Sequence, residues 1–289
     1  MQPHVTPFFH APTSTWSYIV REANGPAAAI IDPVLDFDPA SGRVSAGSAG
    51  KLLEHLREHA LQPEWILETH VHADHLTAAA WLKRRTGAQV AIGALVVEVQ
   101  RTFKALLNLD EDFTADGSQF DALLADGDTL PLGGLQIEAI ATPGHTPDGV
   151  SYRIGDAAFL GDTLFVPALG SARCDFPGGD AATLYRSVQR LYALPGDTRG
   201  FLCHDYPKEG EAPRAQVSIA EQMQSNKHIA RDTSEEQYVA MRRARDASLP
   251  VPKLLWSALQ VNIRAGQLPP AEGNGRSYLK LPLDAGELE

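Results

Sequence analysis

Seven consecutive residues, Thr69-His70-Val71-His72-Ala73-Asp74-His75, constrain this chain more than any other stretch. They crowd together three imidazoles and a carboxylate, and each of these needs a partner once water is removed. The knot follows Trp65-Ile66-Leu67, an apolar run with strand character. A strand ending in a tight turn would point His70 and His72 to the same side, because side chains two apart share a strand face. Asp74 is then expected on the turn, and His75 at the start of a helix that runs to about residue 86 and is closed by Gly87. This is the geometry of a metal cradle. Imidazole and carboxylate suit Zn, Fe, Mn or Ni, and the absence of a cysteine beside the knot argues against a thiolate structural zinc.

Upstream of the knot, residues 5–9, 15–20 and 27–31 read as strands of a β-meander that turns at Asn24-Gly25 and ends at Asp32-Pro33. Residues 37–50, rich in Ser, Gly and Ala, predict an excursion of low order, and a helix follows over 49–59 with Leu52, Leu53 and Leu56 as its apolar face. Downstream, residues 89–92 predict a strand, and 96–109 an apolar stretch that either covers the cleft or packs a helix there, with Phe103, Leu106 and Leu107 as its face. Turns at Asp126-Gly127-Asp128 and Gly133-Gly134 frame a strand over 135–141. Three candidate ligands then follow extended segments: His145 after 141–144, Asp162 after 157–160, and His204 after 200–203. Asp180 is expected to cap a helix carrying Leu184, Val188 and Leu191, and a further helix is predicted over 217–225.

Composition narrows the function classes. A formal charge of -11 and a pI near 5.4 leave no basic footprint for a nucleic acid or an anionic membrane. No amino-terminal run joins a basic region to an apolar one, so a cytoplasmic setting is expected for the chain as given. Two cysteines, Cys174 and Cys203, are too few for a disulfide framework. The pattern contains no repeat and predicts one domain over 1–289, with a helical extension from about 207 and a weakly ordered tail after about 267.

The HxHxDH stretch resembles the signature of the metallo-β-lactamase superfamily, and its flanks resemble the persulfide dioxygenase branch. The resemblance implies an α/β fold, the αββα sandwich of two mixed β-sheets flanked by helices. It also implies one Fe(II) per chain, held by His70, His145 and Asp162 as a facial triad, with His72, Asp74, His75 and His204 around it or forming a second metal site. Gly170-Ser171-Ala172-Arg173-Cys174-Asp175-Phe176, His204-Asp205-Tyr206, Leu249-Pro250-x-Pro252 and Val261-Asn262-x-Arg264-x-Gly266 resemble further segments of the branch.

By that resemblance Asp74, His75, His204 and Tyr206 take catalytic roles, and Arg173, Tyr206, Arg214, Met223 and Arg264 face the substrate. The implied substrates are dioxygen and a small persulfide such as glutathione persulfide, oxidised to sulfite and free thiol; a homodimer is compatible with the pattern. Met223 stands where branch members carry a basic residue, so one substrate carboxylate is expected to lack its cation unless Arg214, Lys227 or Arg264 supplies it. The alternative is a dinuclear zinc hydrolase of glyoxalase II type, acting on a thioester or lactone.

Overall fold

A computed structural model describes residues 2–283. Two six-stranded sheets form its centre. The first runs in the order His4–His10, Thr15–Arg21, Ala27–Ile31, Gln62–Leu67, Gln89–Gly93, Ala122–Leu124; its first three strands are antiparallel neighbours and the later pairs are parallel. The second follows chain order through Thr129–Leu132, Leu135–Ala141, Val150–Ile154, Ala157–Phe159, Arg199–Phe201 and Gln216–Ser218. It is antiparallel except where Ala157–Phe159 meets Arg199–Phe201.

Alternation along the strands decides what lies between the sheets. Tyr18, Ile31 and Leu67 of the first sheet meet Ile137, Tyr152 and Phe159 of the second in one buried cluster. The residues one step along, Ile19, Ile30, Ile66 and Val90, face the other way. They pack under helices Gly47–Glu58, Ala79–Thr86, Val96–Leu106 and Leu255–Asn262. On the far side, Ala158, Leu160 and Val217 are covered by helices Ala181–Tyr192, Ile219–Ser225 and Glu235–Asp246. The result is the expected sandwich with a helical layer on each outer face.

Local signals hold where a specific residue enforces them. Gly87 ends helix Ala79–Thr86 at φ 78, and the Asp180 side chain accepts from Thr183 N at 2.7 Å to cap helix Ala181–Tyr192.

Several expectations fail for tertiary reasons. His75 does not open a helix: Leu76–Thr77 pairs with Val34–Leu35 as a short strand, and the helix begins at Ala79. Residues 37–50 are ordered as a hairpin, in which Val34–Asp38 pairs with Arg43–Ser45 and Asp36 accepts from Ser48 N at 2.9 Å at the foot of the next helix. Leu106 is 48% exposed, and the buried face of its helix is Val96, Val99, Gln100 and Phe103. The segment after 207 contributes a strand, Gln216–Ser218, before it becomes helical. Of the tail after about 267, residues 284–289 lie outside the described residues; the rest is without helix or strand, and the backbone N and O of Lys280 bond the Gln260 side chain at 2.7 and 2.8 Å.

Candidate metal centre

The knot leaves strand Gln62–Leu67 at Glu68 and runs as an irregular loop between the ends of the two sheets. Such a loop exposes backbone donors that no sheet satisfies, and buried side chains take them up. Asp32, held at φ 47, accepts from Thr69 N at 2.8 Å and Thr69 Oγ1 at 2.9 Å. Asp148 accepts from Val71 N at 2.8 Å, and burial pushes its carboxyl up to about 6. Asn262 closes the far side: its Nδ2 donates to the carbonyls of His72 and His75, both at 2.8 Å, and its Oδ1 accepts from Thr77 N at 2.9 Å. Three elements remote in sequence therefore fix one loop.

Two glycines let the other ligand loops approach. Gly161, at φ 55, has Thr69 Cβ 2.9 Å from where its own Cβ would be, so the strand end carrying Asp162 can lie against the knot. Gly144, at φ 131, would place a Cβ 2.4 Å from Leu184 N, which seats the His145 loop on helix Ala181–Tyr192.

The ligand atoms of His70, His145 and Asp162 lie within 4.8 Å of one another. Those of His72, Asp74 and His75 form a second such group, and His72 belongs to a third with Cys203 and His204. Asp162 links the halves, 3.7 Å from His145 Nε2 and 3.4 Å from His204 Nε2. Hydrogen bonding selects which ring nitrogen is free. Thr69 Oγ1 donates to Asp32 and so accepts from His70 Nδ1 at 3.1 Å, leaving His70 Nε2 as a lone pair. His145 Nδ1 donates to the Arg173 carbonyl at 2.7 Å, and His204 Nδ1 to the Ser14 carbonyl at 3.1 Å. His72 turns Nε2 to Asp32 at 3.1 Å.

The atoms left over are those a metal would take. His70 Nε2, His72 Nδ1, His75 Nε2 and Asp162 Oδ1 are buried without a hydrogen-bond partner, a costly arrangement unless a cation satisfies them. Burial, with His72 beside one and His75 beside the other, holds His70 and His72 well below the usual imidazole range, so both are neutral ligands. Burial opposes the charge on Asp74, but His204 and His75 hold its carboxyl well below the usual range. The donor set fits a bound metal in the His70, His145 and Asp162 group, with room for a second in the other.

Beneath the site Glu68 and Asp32 lie near His72 Nε2. Burial first, then Asp32, pushes the Glu68 carboxyl well up; burial likewise raises Asp32. No cysteine stands in the knot, but Cys203 immediately precedes His204 in sequence. Folding brings Cys203 beside His72 and His204, although burial pushes its thiol well up and away from the thiolate a metal would bind.

A cavity of about 400 Å³ opens from His145 and Asp162 and includes Tyr206 and Arg173 in its lining. Arg173 pairs with Asp175 at 2.5 Å and donates to the Pro250 carbonyl at 2.9 Å. Tyr206 is 53% exposed and stacks on His204 with ring centroids 5.9 Å apart. Tyr206 and Asp74 also border a second cavity of about 600 Å³ against the 34–45 hairpin.

Arg214, Met223 and Arg264, the other residues expected at the substrate, are not brought to the cavity wall. Arg214 forms a two-pronged pair with Glu221 at 2.8 and 2.5 Å. Met223 packs in the outer helical layer with Arg231 near its sulfur, and Arg264 lies 4.3 Å over the Phe113 ring. From sequence, Asp32-Pro33 reads either as a turn beside the site that supplies no ligand or as a plain turn, and Asn262 is marked only by the 261–266 motif; the bonding roles of Asp148 and Asn262 have no sequence signal.

The metallo-beta-lactamase superfamily profile matches residues 10–204, the span from the first strand to the last candidate ligand. The chain belongs to that superfamily. It is 49% identical over 288 residues to a probable metallo-hydrolase of Burkholderia pseudomallei, covering 96% of this chain and 98% of that one. It is 46% identical to glyoxylase B2 of Dictyostelium discoideum, covering 94% of each. Identity to the mitochondrial persulfide dioxygenase ETHE1 of Homo sapiens is 31%, over 68% of this chain and 66% of the human protein. Among solved structures, ETHE1 from Myxococcus xanthus superposes with a TM-score of 0.73 at 31% identity, over 91% of this chain and 100% of that one. The α/β sandwich is thereby established, and with it a metal-binding enzyme of the metallo-hydrolase superfamily. Among the described residues no helix is long and apolar enough to cross a membrane.

Proposed function

We propose that the protein is an iron-dependent dioxygenase that oxidises the terminal sulfur of a low-molecular-weight persulfide, glutathione persulfide or a close analogue, to sulfite. One observation carries the reading. Residues 171–173, His204, Tyr206 and 249–252, from three segments that resemble the dioxygenase branch, line one cavity that opens onto the His70, His145 and Asp162 group. Arg173 unites them, since its carbonyl orients His145 while its guanidinium bonds Asp175 and Pro250.

On this reading His70, His145 and Asp162 hold one Fe(II) as a two-histidine, one-carboxylate face. Bound iron supplies the site for the substrate sulfur and for dioxygen. The chain supplies the rest: Thr69 and Arg173 aim two imidazoles, His72 and His204 surround the carboxylate end, and Tyr206 offers a hydroxyl at the rim. Overall, persulfide, one dioxygen and one water give thiol, sulfite and two protons, with the sulfur–sulfur bond broken.

A second reading, a dinuclear zinc hydrolase of a thioester or lactone, is favoured by the unpartnered His72 Nδ1 and His75 Nε2 beside Asp74. The names of the Burkholderia and Dictyostelium relatives point the same way. Anaerobic purification followed by metal analysis separates the two. The dioxygenase should carry about one iron per chain in an open facial triad, and the hydrolase about two zinc ions.

A further inference from the structure

Asn262 holds the knot from a helix that has little to hold itself. Helix Leu255–Asn262 has eight residues, too few to be stable alone, and no side chain caps its N-terminus. Its Leu255, Ala258, Leu259 and Val261 pack in the outer apolar layer. Such packing is non-directional. Asn262 needs a defined rotation, because its Nδ2 donates to the carbonyls of His72 and His75, both at 2.8 Å, while its Oδ1 accepts from Thr77 N at 2.9 Å.

Gln260 supplies a directional contact on the other side. Residues two apart on a helix are turned by about 200° from one another, so with Asn262 facing the knot Gln260 faces away from it. Its buried amide accepts from Lys280 N at 2.7 Å and donates to the carbonyls of Lys280 at 2.8 Å and Trp256 at 2.6 Å. Both donors and an acceptor of the amide are thereby used. The extended segment around Lys280 is anchored at two further points: Lys280 Nζ donates to the Asn108 carbonyl at 2.7 Å, and Ser277 Oγ to the Pro269 carbonyl at 2.7 Å. Leu76, the neighbour of His75, shares a cavity of about 380 Å³ with Tyr278, Leu279 and Leu281, so open space rather than packing lies between strand and tail there.

We infer that segment 277–281 is a strap that positions the metal ligands: through Gln260 it sets the rotation of helix Leu255–Asn262, and through Asn262 it sets the loop from His72 to His75. Gln260 and Lys280 are positioning residues that act through Asn262. Lifting the strap leaves the buried Gln260 amide without two of its partners and frees the helix to turn, which loosens the ligand loop. The Asn262 bonds serve iron and zinc alike, so the inference is independent of which reaction the centre runs.

Two measurements on the zinc-loaded protein test the strap without turnover: zinc affinity, by competition with a chromophoric chelator, and hydrogen exchange of single amides, by NMR. Lys280→Pro removes the N–H that Gln260 accepts, at a position whose side chain is exposed. It should weaken zinc binding by about tenfold, the low end for losing a group that orients ligands. It should also speed exchange at Thr77 N, whose acceptor is Asn262, and leave Thr69 N and Val71 N, held by Asp32 and Asp148, at their wild-type rates. Gln260→Ala should act in the same way, Asn262→Ala should do more, and Leu283→Pro, at an exposed position beyond the strap, should match wild type. Wild-type affinity and wild-type Thr77 exchange in Lys280→Pro overturn the inference. Faster exchange at Thr69, Val71 and Thr77 alike also overturns it, because the strap then holds the fold as a whole and not the ligand loop. If Gln260→Ala does not fold, Lys280→Pro decides alone.

Discussion

The ligand cluster and the exposed wall of the 400 Å³ cavity are built differently. In the ligand cluster His70, His72, His75 and His204 are at most 2% exposed, and Asp32, Thr69, Asn262 and the Ser14 carbonyl orient them or the loop that carries them. Elsewhere in the cavity wall Tyr206, which stacks on His204, and Arg245 and Lys253 are exposed, and their hydroxyl or charged tips have no protein partner among the described residues. Metal chemistry requires ligands set before the metal arrives, since a preorganised donor set avoids reorganisation during turnover. Carrier recognition tolerates looser groups, because each contributes a modest, separable increment. The contrast predicts that changes in the ligand cluster act on metal and rate, and changes in the exposed wall on binding.

The largest expected effect belongs to His145. His145→Ala should remove most of the bound iron and nearly all oxygen consumption, as read by metal analysis and an oxygen electrode. Full occupancy and rate in that variant would show that the His70, His145 and Asp162 group is not the metal site. A smaller effect is expected beneath the ligands at Asp32. Asn in its place must turn a donor toward Thr69 Oγ1 or His72 Nε2, which disturbs the orientation of both His70 and His72. Asp32→Asn should lower iron affinity by about 10 to 100-fold, the usual cost of losing a ligand-orienting partner. Its binding of S-methylglutathione, read by calorimetry, should stay at the wild-type value. If that binding falls together with iron affinity, the ligand cluster and the exposed cavity wall are coupled and the comparison breaks.

How much of this was legible in the sequence follows the same division. The ligand set could be read because metal binding restricts residue type: His, His, Asp and His packed within six positions leave few structural uses. The strands leading to Asp162 and His204 are legible because their continuous apolar runs, 157–160 and 201–203, reflect burial on both faces, while the strand leading to His145 alternates. Leu76–Thr77 was misread because its role comes from pairing with Val34–Leu35, a contact that no local pattern announces. The 37–50 hairpin was missed for the opposite reason. Its Ser, Gly and Ala content resembles an unstructured excursion, while Asp36 supplies the ordering bonds to Ser48. Asp148 sits only three residues past a ligand, yet its work is done on Val71, 77 positions upstream. Arg245 and Lys253 carried no signal at all. An exposed cation on a helix or after a proline looks the same whether it faces bulk water or a cavity.

Oxygen stoichiometry tests the central claim most directly. Anaerobically purified protein, reconstituted with Fe(II) and mixed with glutathione persulfide in a closed oxygen-electrode cell, is assayed in parallel for sulfite and glutathione. The account predicts about one dioxygen consumed per sulfite released, with thiol appearing in equal amount, as expected when iron carries the oxygen chemistry. No oxygen uptake under these conditions, together with hydrolysis of S-lactoylglutathione by the zinc-loaded protein, would contradict it.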